Sequence, residues 1–531
     1  MPDPTNEVQL LQRVRALLQQ DDLNRALAAC RELNSRFPGN AEGWCAASVL
    51  ACRLGNAGKG VEFADRALSI IPEDGHFLIA RASAWVQAGR RDSAMSDAEE
   101  AVRLASNDAE ILDMAGGVSS RCESFERAAE FYERGIALVP GNSRLHFNLG
   151  TVKRFLGDNG AAEASFDRAI ELNPDDAEAF QLRSDLRTQS RESNHVDELK
   201  QRLGKVSGNW RSEMKLQFAL AKELEDLDQH EASFDALKKG ADLRRRHMSY
   251  RVEKDLATID EIIGFYSPER LAGITPGRGG SGAIFIVGLP RTGTTLVERI
   301  LGSHDDVQSL GELNEFALEM TRLVRPLLPG KGEGASLVEK SAGIDFQALG
   351  SGYLARVSSR RNTEPRFIDK LPLNFLYCGL IHRAMPDARI VHVTRNPMDA
   401  CFAMYKRLFR DAYPMSYDLD DLGRYYCSYR KLMQHWHSVL PDVIHEVAYE
   451  SLIEAQDSVT RDLLSYCDLP WQEDCLKFEE NSAAATTASA SQVRQPIYRS
   501  SVNNWRNYRD QLGHLRQVLA NEGVNVDKDS W

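Results

Sequence analysis

The chain has 531 residues, which is enough for about two to four domains with buried cores. Its net charge of −12 argues against broad binding to nucleic acid or to anionic membranes. Nine cysteines without a C-x-x-C pair, a polar N-terminus and the lack of any long apolar run predict a cytoplasmic protein without a membrane span.

The N-terminal third of the sequence repeats with a period of 34 residues, which is the period of a tetratricopeptide repeat. Small residues recur where two helices would approach closely, and a proline follows the second helix of most repeats. The five repeats begin at Glu7, Ala41, Gly75, Ala109 and Ser143. The sequence therefore predicts an all-α solenoid over residues 7–176.

Residues 177–275 keep a helical pattern but lose the strict period. The stretches 218–222 and 232–237 resemble one further, degenerate repeat that would cap the array. A glycine-rich linker over residues 273–282 follows, so we predict that a second domain covers residues 280–525.

That domain opens with an apolar strand, Ile284–Val287, which runs into a phosphate-type loop. Gly288 and Gly293 have the G-x-x-x-x-G spacing of a P-loop, but Thr294 occupies the position of its lysine. A terminal triphosphate would lose its main counter-charge, whereas backbone amides, hydroxyls and the helix N-terminus would still hold a smaller anion. The loop thus argues against a kinase and predicts chemistry other than phosphoryl transfer.

Three further strand candidates are each followed by a helical stretch, which is typical of a parallel α/β sheet. They are residues 366–369, 390–394 and 443–447. Because ligands of open α/β sheets bind at the carboxyl ends of the strands, we expect the site there.

At these positions the chain resembles the sulfotransferases, specifically bacterial tetratricopeptide-repeat sulfotransferases and protein-tyrosine sulfotransferases. Residues 290–296 look like the family loop P-R-[ST]-G-T-T-L, and residues 389–400 resemble the segment that binds a 3′-phosphate. The resemblance covers roughly residues 280–510 and implies 3′-phosphoadenosine-5′-phosphosulfate as the sulfate donor. The implied donor-binding residues are Pro290, Arg291, Thr292, Gly293, Thr294, Thr295 and Arg395.

The same resemblance implies two catalytic residues. Glu312, in a Gly-Glu segment past the loop, would be the base for the acceptor hydroxyl, with Glu315 as the fallback. Lys370 would stabilise the departing phosphate oxygen, and the strand before it offers no histidine, which favours a glutamate base. Because a sulfuryl group carries one charge fewer than a phosphoryl group, we expect no metal.

Three residues nearer the C-terminus complete the implied donor site: Tyr449, Ser489 and Arg494. Two positions depart from the family pattern. Ala403 replaces a serine that contacts the 3′-phosphate, and Asn504 replaces a lysine whose charge Arg494 or Arg499 would have to supply.

The predicted activity is transfer of a sulfuryl group to a hydroxyl, with protein tyrosine, a sugar and a small phenol as open alternatives for the acceptor. A peptide, a protein or another large acceptor would bind in the groove of the repeats. The alternative is a repeat-based interaction scaffold whose transferase domain binds nucleotide but is weakly active. The sequence leaves the oligomeric state open.

Overall fold

The structure is a computed structural model that describes residues 4–206, 208–328, 336–409, 411–481, 497, 499 and 501–526. Its contacts divide the chain into two compact units, Met1–Ala179 and Phe180–Trp531. The predicted three-part division into residues 7–176, 177–275 and 280–525 stays a prediction, and the middle part shares its contacts with the second unit.

The first unit consists of paired antiparallel helices that recur with the predicted period. The first helix of the last four pairs begins at Ala41, Gly75, Ala109 and Ser143, which are the predicted starts of those repeats. The helices are α1 (Pro4–Gln19), α2 (Leu23–Arg36), α3 (Ala41–Arg53), α4 (Ala57–Ile70), α5 (Gly75–Gln87), α6 (Arg91–Leu104), α7 (Ala109–Arg121), α8 (Phe125–Leu138), α9 (Ser143–Leu156) and α10 (Asn159–Leu172). The all-α repeat array is thereby confirmed.

Small residues lie where the helices of a repeat meet. Ala82, Ala94 and Ala128 are fully buried. A Cβ atom on Gly116 would lie 2.6 Å from the ring of Tyr132, and one on Gly150 would lie 2.9 Å from the ring of Phe166. The aromatic side chain of one helix thus packs directly on the backbone of its neighbour.

We expect Gly116→Ala to lower the free energy of unfolding by about 1–3 kcal/mol, because the added methyl group overlaps the Tyr132 ring. Gly117→Ala is the matched control, since its Cβ would meet only the Tyr132 hydroxyl, at 3.9 Å. Alanine is the better helix former, so the control should be neutral or up to about 1 kcal/mol more stable. Urea denaturation of the full chain, followed by far-UV circular dichroism, would measure both; equal stability of the two variants would contradict the packing argument.

The second unit begins with helices that precede the first strand of its sheet. They are α11 (Ala177–Ser184), which spans the division between the units, α12 (Val196–Lys205), α13 (Trp210–Asp226), α14 (His230–Arg246), α15 (Val252–Phe265) and α16 (Pro268–Gly273). Phe234 of α14 contacts Tyr405 and Tyr508, with ring centroids 6.1 and 6.3 Å away. Phe218 of α13 likewise contacts Tyr417, with ring centroids 6.4 Å apart. Helices α13 and α14, which carry the degenerate repeat pattern, therefore share a core with the α/β region.

A five-stranded parallel sheet forms the centre of the second unit, in the order β2-β3-β1-β4-β5. Its strands are β1 (Ala283–Gly288), β2 (Val307–Ser309), β3 (Arg366–Asp369), β4 (Arg389–Thr394) and β5 (Ile444–Ala448). The predicted parallel sheet is confirmed, and four of its strands match the candidates within one residue. The sequence analysis missed β2, a three-residue edge strand.

Helices cover both faces of this sheet. The helices of this region are α17 (Thr294–Leu301), α18 (Glu315–Val324), α19 (Leu337–Ser341), α20 (Phe346–Val357), α21 (Cys378–Ala384), α22 (Pro397–Tyr405), α23 (Leu419–Val439), α24 (Tyr449–Glu454), α25 (Gln456–Tyr466) and α26 (Gly513–Asn521). One face packs Ile284, Ile286 and Val391 against α17 and α25. The opposite face carries Phe285, which contacts Phe316 and Tyr353. Among the described residues, every helix is too short or too polar to span a lipid bilayer.

Candidate functional site

The loop after β1 ends in a tight turn, and only glycine fits at its last position. Gly293 has φ +104°, and a Cβ atom there would lie 2.6 Å from the Tyr449 ring. The Thr292 hydroxyl donates to the Leu289 carbonyl at 2.8 Å and closes the loop. Helix α17 starts at Thr294 without a side-chain cap, and the Gly293 carbonyl accepts from the N–H groups of Leu296 and Val297. The positive end of the helix dipole therefore faces the loop. Such an arrangement suits an anion.

Arg395 lies beside this loop, at the carboxyl end of β4. Its guanidinium donates to the main-chain oxygens of Arg291 at 2.9 Å and of Ser501 at 2.5 Å. It also lies 4.7 Å from the centre of the Tyr449 ring, whose hydroxyl is 2.7 Å from the Ser501 hydroxyl. The structure thus brings together Arg291, Arg395 and Tyr449, three of the residues implied by the resemblance. Ser501, which sequence reasoning missed, joins them.

Lys370 follows β3 and is 1% exposed. Its Nζ lies 2.5 Å from Glu312 Oε1 and 3.7 Å from Glu298 Oε2. Burial by itself lowers the pKa of Lys370, but the Glu298 and Glu312 carboxylates outweigh it and raise the pKa above its usual value. The predicted base and the predicted lysine are therefore neighbours, and the lysine is a buried cation.

Glu298 was not singled out in the sequence, yet it is the second carboxylate beside Lys370. It lies on α17, the helix that follows the anion loop, and it is 8% exposed. The Ser309 hydroxyl donates to its Oε1 at 2.6 Å. The sequence gives little indication of this role, because an acidic residue inside a short helix is usually part of a solvated face.

Asp369, the last residue of β3, fixes the backbone around this ion pair. It accepts hydrogen bonds from the Tyr353 hydroxyl at 2.9 Å, from Asn374 and from the N–H groups of Leu313 and Leu371. Burial raises the pKa of Asp369 to about 8, although these hydrogen bonds oppose the rise. The loop that carries Glu312 and the strand end that carries Lys370 are thereby tied to one buried side chain.

The fallback candidate Glu315 has different surroundings. It is the first residue of α18, and its Oε1 lies 3.7 Å from Arg360. The carboxylate that contacts Lys370 directly is that of Glu312. The geometry therefore favours Glu312 over Glu315 for a role beside the lysine.

The cations next to Ala403 are already paired. Lys406 lies 2.6 Å from Glu225, and Arg407 lies 2.8 Å from Asp185. Asn504, at the position of the family lysine, donates to the same Glu225 carboxylate at 3.0 Å. These side chains connect the region after α22 with the helices that precede the sheet. Arg499, the other candidate for the missing charge, is exposed.

Two predicted donor-site residues, Ser489 and Arg494, lie outside the described residues. Pro290 and Thr295 lie in the loop and in the first turn of α17, as the motif requires.

The C-terminal segment contacts this region through other residues. Asp399 of α22 accepts hydrogen bonds from the N–H groups of Asn503 at 2.5 Å and Trp505 at 3.0 Å.

The fold defines a class: a helical repeat array followed by a parallel α/β domain with a glycine-containing loop at the carboxyl end of its first strand. Residues 283–473 match the Sulfotransferase family, and residues 143–176 match the tetratricopeptide repeat. The chain therefore carries a sulfotransferase-family domain together with tetratricopeptide repeats.

Two relatives show how far the similarity extends. An uncharacterized protein of Aquifex aeolicus (strain VF5) is 35% identical over 322 residues, which are 59% of this chain and 42% of that protein. The protein-tyrosine sulfotransferase of Drosophila melanogaster is 26% identical over 245 residues, which are 42% of this chain and 46% of that protein. The chain thus spans less than half the length of these two relatives.

A solved tetratricopeptide-repeat protein of Thermus thermophilus is 17% identical, with a TM-score of 0.30. The match covers 33% of this chain and 94% of that protein.

Proposed function

We propose that the second unit transfers a sulfuryl group from 3′-phosphoadenosine-5′-phosphosulfate to a hydroxyl acceptor. The observation that carries this proposal is the buried Lys370, 2.5 Å from the Glu312 carboxylate. A cation for a departing oxygen and a base for an attacking hydroxyl are the two groups that sulfuryl transfer requires.

The residues around the loop fit such a donor. The Arg395 guanidinium donates to the main-chain oxygen of Arg291 in the loop, and the glycine at the end of the loop leaves no room for a side chain. Arginine forks suit phosphate and sulfate oxygens, and helix N-termini suit anions. We assign Arg395 to the 3′-phosphate and residues 290–295 to the 5′-phosphosulfate. The donor supplies the activated sulfuryl group.

Glu312 accepts the proton of the acceptor hydroxyl in this mechanism. Its side chain is 46% exposed, so an acceptor can reach it from solvent. Lys370, held protonated by Glu298, stabilises the negative charge that develops on the oxygen that leaves. The tight contacts of Asp369 keep both backbones in place, which supports a productive orientation.

We propose that a small cavity of about 180 Å³ takes an aromatic acceptor such as protein tyrosine. Leu373, Leu376, Tyr413 and Met415 are among the residues that line it. Burial raises the pKa of Tyr413, and the Glu312 charge adds to the rise. The repeats would bind the protein or peptide that carries the acceptor. A cytoplasmic location stays a prediction.

Donor binding tests the proposal directly. We expect calorimetry to detect tighter binding of 3′-phosphoadenosine 5′-phosphate than of ATP. Arg395→Ala should weaken it about 10–100-fold, because a charged hydrogen bond contributes about 1.5–3 kcal/mol. Arg389→Ala is the matched control: Arg389 lies at the opposite end of β4, beside Asp468, and its loss should leave affinity unchanged.

Tighter binding of ATP than of the bisphosphate, or equal affinity of the Arg395 variant and the native chain, would refute the assignment of this site. Thermal denaturation of both variants would confirm that they are folded. A chain that binds the bisphosphate but transfers no sulfate would instead support the scaffold alternative.

A further inference from the structure

A cluster of two histidines and one glutamate lies away from the proposed transfer chemistry. Glu446 Oε2 lies 3.9 Å from His392 Nδ1 and 3.9 Å from His437 Nε2. All three ligand atoms lie within 4.8 Å of one another. Imidazole nitrogens and a carboxylate oxygen are common ligands of divalent transition metals.

The fold itself brings these residues together. His392 of β4 and Glu446 of β5 are direct partners in the parallel register, so their side chains point to the same face of the sheet. Helix α23 covers that face and brings His437 over the pair, with the two histidine rings 5.8 Å apart. Three elements that are distant in sequence thus each contribute one potential ligand.

The Tyr429 hydroxyl is placed to hold the His392 ring by a hydrogen bond to its other nitrogen. His392 Nε2 lies 2.6 Å from the buried Tyr429 hydroxyl, also on α23. If Nε2 carries the proton and donates to this oxygen, the lone pair of Nδ1 faces Glu446 and His437. Metal-binding histidines usually donate their other ring N–H in this manner, and that bond fixes the tautomer.

The distances allow one shared ion. Two atoms that bind the same Zn²⁺ at about 2.0–2.1 Å lie at most about 4.2 Å apart. The two 3.9 Å separations fall inside that limit. His437 and Glu446 are 32% and 36% exposed, so small rotations of these two side chains can bring in the third ligand. Their exposure also gives the ion a path from solvent.

We propose that His392, His437 and Glu446 bind one divalent transition-metal ion, with Zn²⁺ as the best match and water as the fourth ligand. The ion would clamp α23 to β4 and to the edge strand β5. This proposal goes beyond sulfuryl transfer and does not depend on it. It differs from the sequence-based expectation of no metal, which followed from the transfer chemistry alone.

The test is metal binding by the full chain after removal of metals with a chelator. We expect titration to give one Zn²⁺ per chain and Co²⁺ to give a visible spectrum of nitrogen and oxygen ligands. His437→Gln and Glu446→Gln should each weaken binding at least 10-fold, and Tyr429→Phe should weaken it about 10–100-fold. His514→Gln, which changes an exposed histidine, is the control and should bind as the native chain does.

Zn²⁺ should also raise the melting temperature of the native chain but not that of the His437 and Glu446 variants, because an ion that binds only the folded state stabilises it. Both variants change partly exposed side chains, so they should fold. The proposal is overturned if no Zn²⁺ binds, if the variants bind it as tightly as the native chain, or if the Co²⁺ spectrum shows thiolate ligands.

Discussion

Replacing Lys370 by methionine should lower kcat about 10²–10³-fold and also destabilise the protein. The catalytic loss follows because the charge that stabilises the leaving oxygen is removed while the length of the side chain is kept. The loss of stability follows because Glu298 is 8% exposed and would remain as a buried carboxylate without its cation. Removing one partner of a buried ion pair typically costs about 3–5 kcal/mol.

These two effects can be separated with a second substitution. In Lys370→Met with Glu298→Gln, no buried charge is left uncompensated, so stability should largely recover. The transfer rate should stay low, because the leaving oxygen still lacks its cation. Chemical denaturation and transfer of radiolabelled sulfate to proteins of a lysate from the source cell would measure the two quantities. Full recovery of the rate in the double variant would exclude a direct role for Lys370.

Replacing Glu312 by glutamine should lower the transfer rate about 10²–10⁴-fold, because the amide cannot accept the acceptor's proton. Donor affinity should change little, since the substitution removes no arginine and Lys370 keeps Glu298 as a partner. The same labelled-sulfate assay at saturating donor would measure the rate, and calorimetry with the bisphosphate would measure affinity.

Glu315→Gln is the matched control for this second prediction. Glu315 follows in the same segment but pairs with Arg360, so its loss should leave the transfer rate near that of the native chain. A rate that falls with Glu315→Gln and survives Glu312→Gln would move the proposed base to Glu315.

The sequence predicted most of the fold because its signals are periodic. A strict repeat placed the first helices of four helix pairs at the observed residues, and four apolar runs placed four strands within one residue. Strand β2 has three residues, too few for any alternation to be visible. The association of α14 with the sheet region depends on long-range contacts of Phe234, which no local pattern reports.

Only those residues of the candidate site that lie in recognisable sequence motifs could be predicted. Loop and strand-end motifs pointed to Arg291, Arg395, Glu312 and Lys370, and the structure brings each pair together. Glu298 could not be found in this way, because its importance lies in its contact with Lys370, which is distant in the sequence. The same holds for Asp369, whose role depends on what surrounds a buried strand end.

The short contact between Glu312 and Lys370 has a consequence for turnover. A carboxylate that accepts a hydrogen bond from an ammonium group is a weaker base than a free one. In the proposed mechanism the acceptor hydroxyl therefore has to displace Lys370 from Glu312 before it gives up its proton. Under the same proposal, the acceptor would bind Glu312 and the departing phosphate oxygen would bind Lys370. Hydrolysis of the donor would then be slow as long as no acceptor separates the pair.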